Sequence, residues 1–424
     1  LKSSLAHASV EGRVSCFFLE KALPPIMESI ECVACARAPP LVCMPCSSPA
    51  TFPAFSVVEN NAPMEIMNFP IPTPKGNEVL IRCTYAGMCH SDVHIWEGFF
   101  NMGGGMKAPT KKASREKPFT IGHEFEGCIV SAGETVPLDQ FNMEKSYAVF
   151  PWIGCDLPEE CAQCAVGNMN WCLSPKTQKF TDGNSVYGGY ASHALVPHYK
   201  YLLDYEGAVP KGLGGVIMCS GLTAFSALEC AYTSRNPPRN AEDLMILGCG
   251  GLGFQGLTMA TAKNGAPPLA ADISDEKLAE AAKLGCKTFN PADKESAKEI
   301  MKISKGGVAA VIDFVGNEKS FAFANSIIRS GGKVVIIGLI GGKMESPLPM
   351  FVFRSRTIEG SLVGNMRQAK DMLELLRTGK VPVVPHQFRS IFEVNAAFKD
   401  LIDGKIVGRC ILKHDWSGPE ASKI

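Results

Sequence analysis

Two rhythms of apolar and polar positions divide the chain. From about Phe55, short β-branched and apolar runs at residues 78–83 and 128–130 alternate with Gly and Pro punctuation, which predicts a compact β-domain continuing to about Pro197. From about Gly221 the rhythm becomes strand and helix in turn. Residues 243–247 read as a buried strand and 256–263 as a helix. Residues 268–271 form a second strand, and 276–284 an amphipathic helix ended by Gly285. Residues 308–313 and 333–337 are further strands. That order predicts a parallel, doubly wound sheet. After about Ser361 a helix at 369–376 and the segment 394–402 return to mixed α and β, completing the first domain. Residues 99–118 have little apolar content and predict an exposed excursion. The first fifty residues show neither period.

The boundaries that follow are 1–50 for an extension, 51–220 for a β-rich domain, 221–361 for the doubly wound domain, and 362–424 for the remainder of the first. A length of 424 residues agrees with more than one core. Lys plus Arg equals Asp plus Glu at 42 each, so the chain offers no field for nucleic acid or an anionic membrane. No apolar run is expected to reach the roughly 18 residues that span a bilayer. The 17 cysteines include several spaced two apart near histidines, which reads as metal ligation in a reducing compartment, the cytoplasm. Within the extension, Cys32, Cys35, Cys43 and Cys46 have the spacing of a metal site, but their spacer holds Pro39 and Pro40, and an unstructured extension is the simpler reading. Met27 is an alternative start.

The run Gly248-Cys-Gly250-Gly251-Leu-Gly253 follows a predicted strand, opens a helix, and precedes Asp272 by 19 residues. This is the setting a dinucleotide fingerprint requires. The first glycine allows the turn, the second admits a pyrophosphate to bare backbone, and the third lets helix and strand close-pack, while the helix N-terminus offers free N–H groups. Asp272 would accept hydrogen bonds from the ribose hydroxyls and repel a 2′-phosphate. Residues 273–275 supply no arginine, so NAD is favoured over NADP.

Two groups of residues suggest metals. Cys89 lies in Gly87-Met-Cys89-His90-Ser91-Asp92-Val-His94, His123 stands 34 residues later with Glu124 beside it, and Cys219 precedes the nucleotide unit. Two thiolates and an imidazole would leave a zinc one open position, as catalysis needs. The second group, Cys155-x5-Cys161-x2-Cys164-x7-Cys172, places four sulfurs within 18 residues, a closed shell suited to structural zinc.

The Cys-His-Ser-Asp segment resembles the catalytic zinc loop of the zinc-dependent alcohol dehydrogenases, in the medium-chain dehydrogenase/reductase superfamily. Gly122-His-Glu-x2-Gly127-x5-Gly133-x2-Val136 fits that family's signature. The resemblance implies a GroES-like β-barrel catalytic domain, a Rossmann domain, and a homodimer or homotetramer acting on a small alcohol or aldehyde. Carried over by position, it implies Cys89, His123 and Cys219 as catalytic zinc ligands, with Glu124 able to approach the metal. Asp92 would orient the histidine, Ser91 would receive the substrate proton, and His94 would end the relay. His90 and Arg367 would contact phosphate, Lys277 the adenosine ribose, and the four-cysteine lobe would hold structural zinc. Two features depart from the pattern. The first interval of the lobe is five residues instead of two, so whether Cys155 closes the shell stays open, and the loop between Asp92 and His123 is long. A polyol dehydrogenase on the same scaffold would tend to lack the third cysteine ligand. A non-catalytic zinc- and nucleotide-binding relative would not need Ser91 and His94.

Overall fold

The computed structural model describes residues 51–110, 117–155, 159–172 and 188–417. The cysteines at 32, 35, 43 and 46 lie outside them. The β-rich segment forms a curved sheet around its longest strands, Val79–Gly87 and Glu124–Ala132, which pair antiparallel. The register shifts twice along that pair, between Leu80 and Ile81 and between Cys83 and Tyr85, and such bulges bend a sheet toward closure. Alternation sends Val79, Ile81 and Cys83 inward and Arg82 outward. The C-terminal strand Arg409–Lys413 enters this sheet beside Val79–Gly87, with Leu412 opposite Ala86, and His386–Ser390 pairs parallel to it. Residues about 330 positions apart thus share one sheet.

The doubly wound half is a six-stranded parallel sheet. Its spatial order is Thr288–Phe289, Leu269–Ala271, Leu244–Leu247, Val308–Asp313, Ile328–Ile336, Thr357–Gly360. The chain therefore runs outward in one direction, returns to the centre and runs outward in the other, the order 3-2-1-4-5-6 of a Rossmann sheet. The first and fourth strands are fully buried (Leu244, Met245, Ile246, Val308, Val311, Ile312), as expected for strands covered by helices on both faces. The expected fold class holds.

Three local readings differ from the structure. The nucleotide helix runs Gly251–Asn264 and so begins inside the glycine run, because glycines at a helix N-terminus carry no apolar period to mark the start. The excursion after Gly98 contains a β-hairpin, Phe99–Gly103 with Met106–Pro109. Its turn is Gly104-Gly105, both at positive φ (58° and 79°), a two-residue turn whose twist suits a hairpin. Finally, helical backbone is continuous over Gly214–Tyr232, and among the described residues this helix is long and apolar enough to cross a membrane. Its window is 83% buried inside the protein, which is core packing between the two halves.

Candidate active site

Cys89 ends the turn after strand Val79–Gly87 and caps helix His90–Glu97. His123 and Glu124 open the neighbouring strand, Glu124–Ala132. Strand pairing sets Gly87 opposite Glu124, and a Cβ on Gly87 would lie 2.4 Å from the Glu124 carboxylate, so only glycine leaves room for the acid. Cys219 comes from a π-helical turn, Ile217–Gly221, inside the long buried helix. Such a widened turn redirects a side chain and recurs at functional sites. Trp152 Nε1 donates to the Met218 carbonyl at 2.8 Å and its ring packs edge-on to His123, with centroids 5.6 Å apart.

The ligand atoms of Cys89, His123, Glu124 and Cys219 all lie within 4.8 Å of one another, and all four residues are buried. Asp92, 1% exposed, sits 3.0 Å from His123 Nδ1 and accepts from the Gly122 N–H at 3.2 Å. With Nδ1 engaged by the carboxylate, Nε2 faces the cage, 3.2 Å from the Cys219 sulfur. This is how an acid behind a histidine ligand fixes its tautomer and aim. Burial works against charging His123, yet the Asp92 carboxylate and the Cys89 sulfur hold its pKa well above the ordinary value. Cys89 is pushed well below the usual thiol range by its hydrogen bond from Cys219, against burial and with help from His123 and Arg409. Burial pushes Glu124 up to about 8, with Arg409 opposing.

These donors suit a soft divalent cation: two sulfurs, one aimed imidazole nitrogen and a carboxylate. Glu124 Oε1 is buried without a hydrogen-bond partner, an acceptor that a cation nearby would satisfy. Cys155, Cys161, Cys164 and Cys172 likewise bring their sulfurs within 4.8 Å of one another. Cys155 reaches Cys164 at 3.5 Å and Cys161 lies 3.8 Å from Cys172, so the longer first interval does not keep Cys155 out. A Cβ on Gly154 would come within 2.6 Å of the Cys164 sulfur, which explains a glycine beside the cluster.

The glycine turn divides its labour as its spacing suggests. Gly248 adopts φ +93°. A Cβ on Gly253 would lie 1.8 Å from the Gly248 carbonyl oxygen, whereas one on Gly250 would meet nothing within 4 Å. The third glycine closes the turn on itself, and the second leaves the open face a pyrophosphate needs. Asp272 accepts from Cys249 N–H at 2.7 Å and from Ser274 N–H at 2.9 Å. Each carboxylate oxygen keeps further acceptor capacity for a ribose hydroxyl.

His90, Ser91, Asp92 and His94 share one short helix, so Ser91 and His94 fall on one face a turn apart. His94 also lies against Phe100, with ring centroids 5.1 Å apart. The charged form of His90 is disfavoured, first by lost hydration and then by Arg409, His94 and Lys277, with Cys89 pulling the other way. Lys277 is in the first turn of helix Asp275–Lys283, which Ser274 caps.

Arg367, expected to contact phosphate, has a side chain 60% exposed and paired with Glu229 and Asp371. The residue that the sequence reading missed is Arg409. It is 5% exposed, forms a buried ion pair with Glu124, and lies against the nucleotide helix, where a Cβ on Gly251 would come 3.0 Å from its Nη1. One arginine therefore touches both the metal cage and the phosphate-binding turn. Sequence alone carried no signal for it, because a single Arg at the start of a C-terminal strand also reads as a solvated edge.

Comparison with known proteins agrees with this geometry. Residues 75–206 match the alcohol dehydrogenase GroES-like domain and residues 251–378 the zinc-binding dehydrogenase domain. The NAD-dependent alcohol dehydrogenase of Sulfurisphaera tokodaii is 33% identical, over 85% of this chain and 99% of its own. That of Saccharolobus solfataricus is 31% identical over the same shares, 85% and 99%. Among solved structures, the alcohol dehydrogenase of Aeropyrum pernix superposes with a TM-score of 0.69 at 24% identity, over 85% of this chain and 100% of its own. The chain belongs to the zinc-dependent alcohol dehydrogenase family of the medium-chain dehydrogenase/reductase superfamily.

Proposed function

We propose that this protein is a zinc-dependent, NAD-linked alcohol dehydrogenase that interconverts a small alcohol and its aldehyde or ketone. The observation that carries this reading is the buried cage of Cys89, His123, Glu124 and Cys219, joined through Arg409 to the glycine turn. Cys89, His123 and Cys219 would hold a zinc ion whose Lewis acidity would act on an alcohol oxygen, and the glycine turn would hold NAD, which would supply hydride-acceptor chemistry. The chain's own residues do the rest. Asp92 holds the His123 ring so that Nε2 faces the cage. Ser91 Oγ takes the alcohol proton while releasing its own outward, and the His94 imidazole accepts at the outer end of the helix. Arg409 keeps Glu124 ionisable beside the metal position and lends positive charge to the helix N-terminus where phosphates bind.

The finer assignments rest on the same residues. Asp272 supports NAD over NADP. The four-sulfur lobe supports a second, structural zinc, giving two per chain. Strand Thr357–Gly360 ends the parallel sheet, and the adjoining helix Leu348–Arg354 exposes Leu348, Val352 and Phe353 by 75–79%. An unpaired edge beside an apolar helix supports a homodimer through this face, with a homotetramer as the larger alternative. The twelve described cysteines form no disulfide, which supports a reducing compartment such as the cytoplasm. The test is metal content together with NAD reduction across a panel of alcohols. Cys89→Ala or His123→Ala should abolish turnover while NAD binding survives; full activity in metal-stripped protein would end the mechanism.

A further inference from the structure

The hairpin after the cage helix meets the nucleotide unit, and one side chain makes the bond between them. On the hairpin side, strands Phe99–Gly103 and Met106–Pro109 are tied back to helix His90–Glu97. Thr110 N–H donates to Gly98 O at 2.9 Å, and Phe100 packs on His94. On the nucleotide side, residues 338–343 leave the carboxyl end of strand Ile328–Ile336. They are pinned to the exit of the neighbouring strand: Gly338 N–H donates to Asp313 O and Gly341 N–H to Gly316 O, both at 3.1 Å. Lys343 N–H donates to the Glu318 carboxylate, also at 3.1 Å. Two internally fixed bodies therefore face each other.

Asn101 joins them with both ends of its amide. Oδ1 accepts from Gly103 N–H at 3.0 Å, inside the hairpin, and Nδ2 donates to Ile340 O at 3.0 Å, across to the nucleotide unit. Glycines make the approach possible from each side. A Cβ on Gly341 would lie 2.3 Å from Asn101 O, and one on Gly103 would lie 2.5 Å from Gly342 C.

We infer that Asn101 is a positioning residue that latches the hairpin over the nucleotide unit and thereby slows departure of the reduced cofactor. The inference rests on the NAD-linked reading above. In a doubly wound sheet the dinucleotide lies in the crevice beyond the carboxyl ends of the strands, and that is the side on which residues 338–343 meet the hairpin. On this reading, release of the cofactor proceeds as the two bodies part, and parting breaks the Asn101–Ile340 bond. Asn101 is exposed, so water competes and the effect is of modest size.

The discriminating variant is Asn101→Asp, which still accepts from Gly103 N–H but has no hydrogen to give Ile340 O. Stopped-flow fluorescence of bound NADH reads the dissociation rate, calorimetry the melting temperature, and metal analysis the zinc content. N101D should release NADH about two- to tenfold faster, the range set by one neutral hydrogen bond, with zinc unchanged and the melting midpoint within ~2 °C. Gly341→Ala, which pushes on the same contact from the opposite side, should also speed release. NADH leaving both variants at the wild-type rate, while turnover persists, overturns this inference alone. A wild-type protein that binds no NADH overturns the inference together with the reading of function.

Discussion

Glu126→Ala should be among the most costly single substitutions in the chain outside the metal ligands. Glu126 is 1% exposed and gathers four donors from one segment. Its Oε1 accepts from Tyr205 OH at 2.6 Å and Gly212 N–H at 3.0 Å, and its Oε2 from Gly214 N–H at 2.7 Å and Gly215 N–H at 3.4 Å. The last is long, so three bonds carry the interaction. Truncation leaves two amides buried without acceptors, each costing ~1–3 kcal/mol, and takes from the Tyr205 phenol its short bond to Glu126, with Ser146 left beside it. Burial pushes the Glu126 carboxyl up in pKa against these donors, so its removal returns part of that cost, and water entering the space returns more. A net loss of ~3–5 kcal/mol remains, a large share of the ~5–15 kcal/mol that keeps a domain folded. At ~2–4 °C per kcal/mol the melting midpoint should fall by roughly 10 °C. The segment held by Glu126 leads into the helix that carries Cys219, so zinc retention under mild chelation should fall with it. Glu126→Gln, which keeps an acceptor on one side and turns an NH2 toward two donors on the other, should fall between wild type and alanine. Differential scanning calorimetry with parallel zinc analysis makes the measurement. A Glu126→Ala protein that melts within ~2 °C of wild type would refute the reasoning, because three buried donors would then have cost almost nothing.

Asp272→Gly removes the acceptor for the ribose hydroxyls together with the bond to Cys249 N–H. The ratio of kcat/KM for NAD over NADP should drop at least tenfold, and equal use of both cofactors by the parent would sink the role given to Asp272. Phe353→Asp places a charge on a helix whose apolar side chains are exposed; if this face forms the proposed dimer, analytical ultracentrifugation should find the variant shifted to monomer relative to wild type. An unchanged sedimentation coefficient would remove that face from the assembly. Burial, and then the charge of Arg82, push His193 down to about 4 from the ordinary 6.5. The folded protein keeps this ring neutral while the unfolded chain protonates it. Its contribution is therefore fully present above about pH 6.5 and is lost as pH falls toward 4, at roughly 1.4 kcal/mol per pH unit. His193→Gln should flatten the stability profile between pH 6 and 4.5 by about that slope, and a parallel profile would contradict the assignment.

What the sequence by itself determined is the chemistry encoded within short spans. The glycine run with Asp272, the pairing of Cys89 with the helix that carries Ser91 and His94, and the sulfur-rich lobe are each legible because their members lie within one turn, one loop or one strand–helix unit. The order of the parallel strands follows from the same local periods, since the alternation of strand and helix admits few right-handed ways of winding. Tertiary structure decided what joins distant spans. Arg409 and Glu124 are 285 positions apart, and no spacing rule links an arginine near the C-terminus to an acid at the start of another strand. Only once both are buried does the cost of an unpaired charge force them together. The same holds for Cys155, whose reach depended on the path of a loop, and for Arg367, whose charge the fold placed beside Glu229 and Asp371. Asn101 and Glu126 are fixed positions of no motif in the sequence. Their weight comes from the backbone donors and acceptors that folding brings to them, because a hydrogen bond has no sequence signature until its partner arrives from elsewhere in the chain.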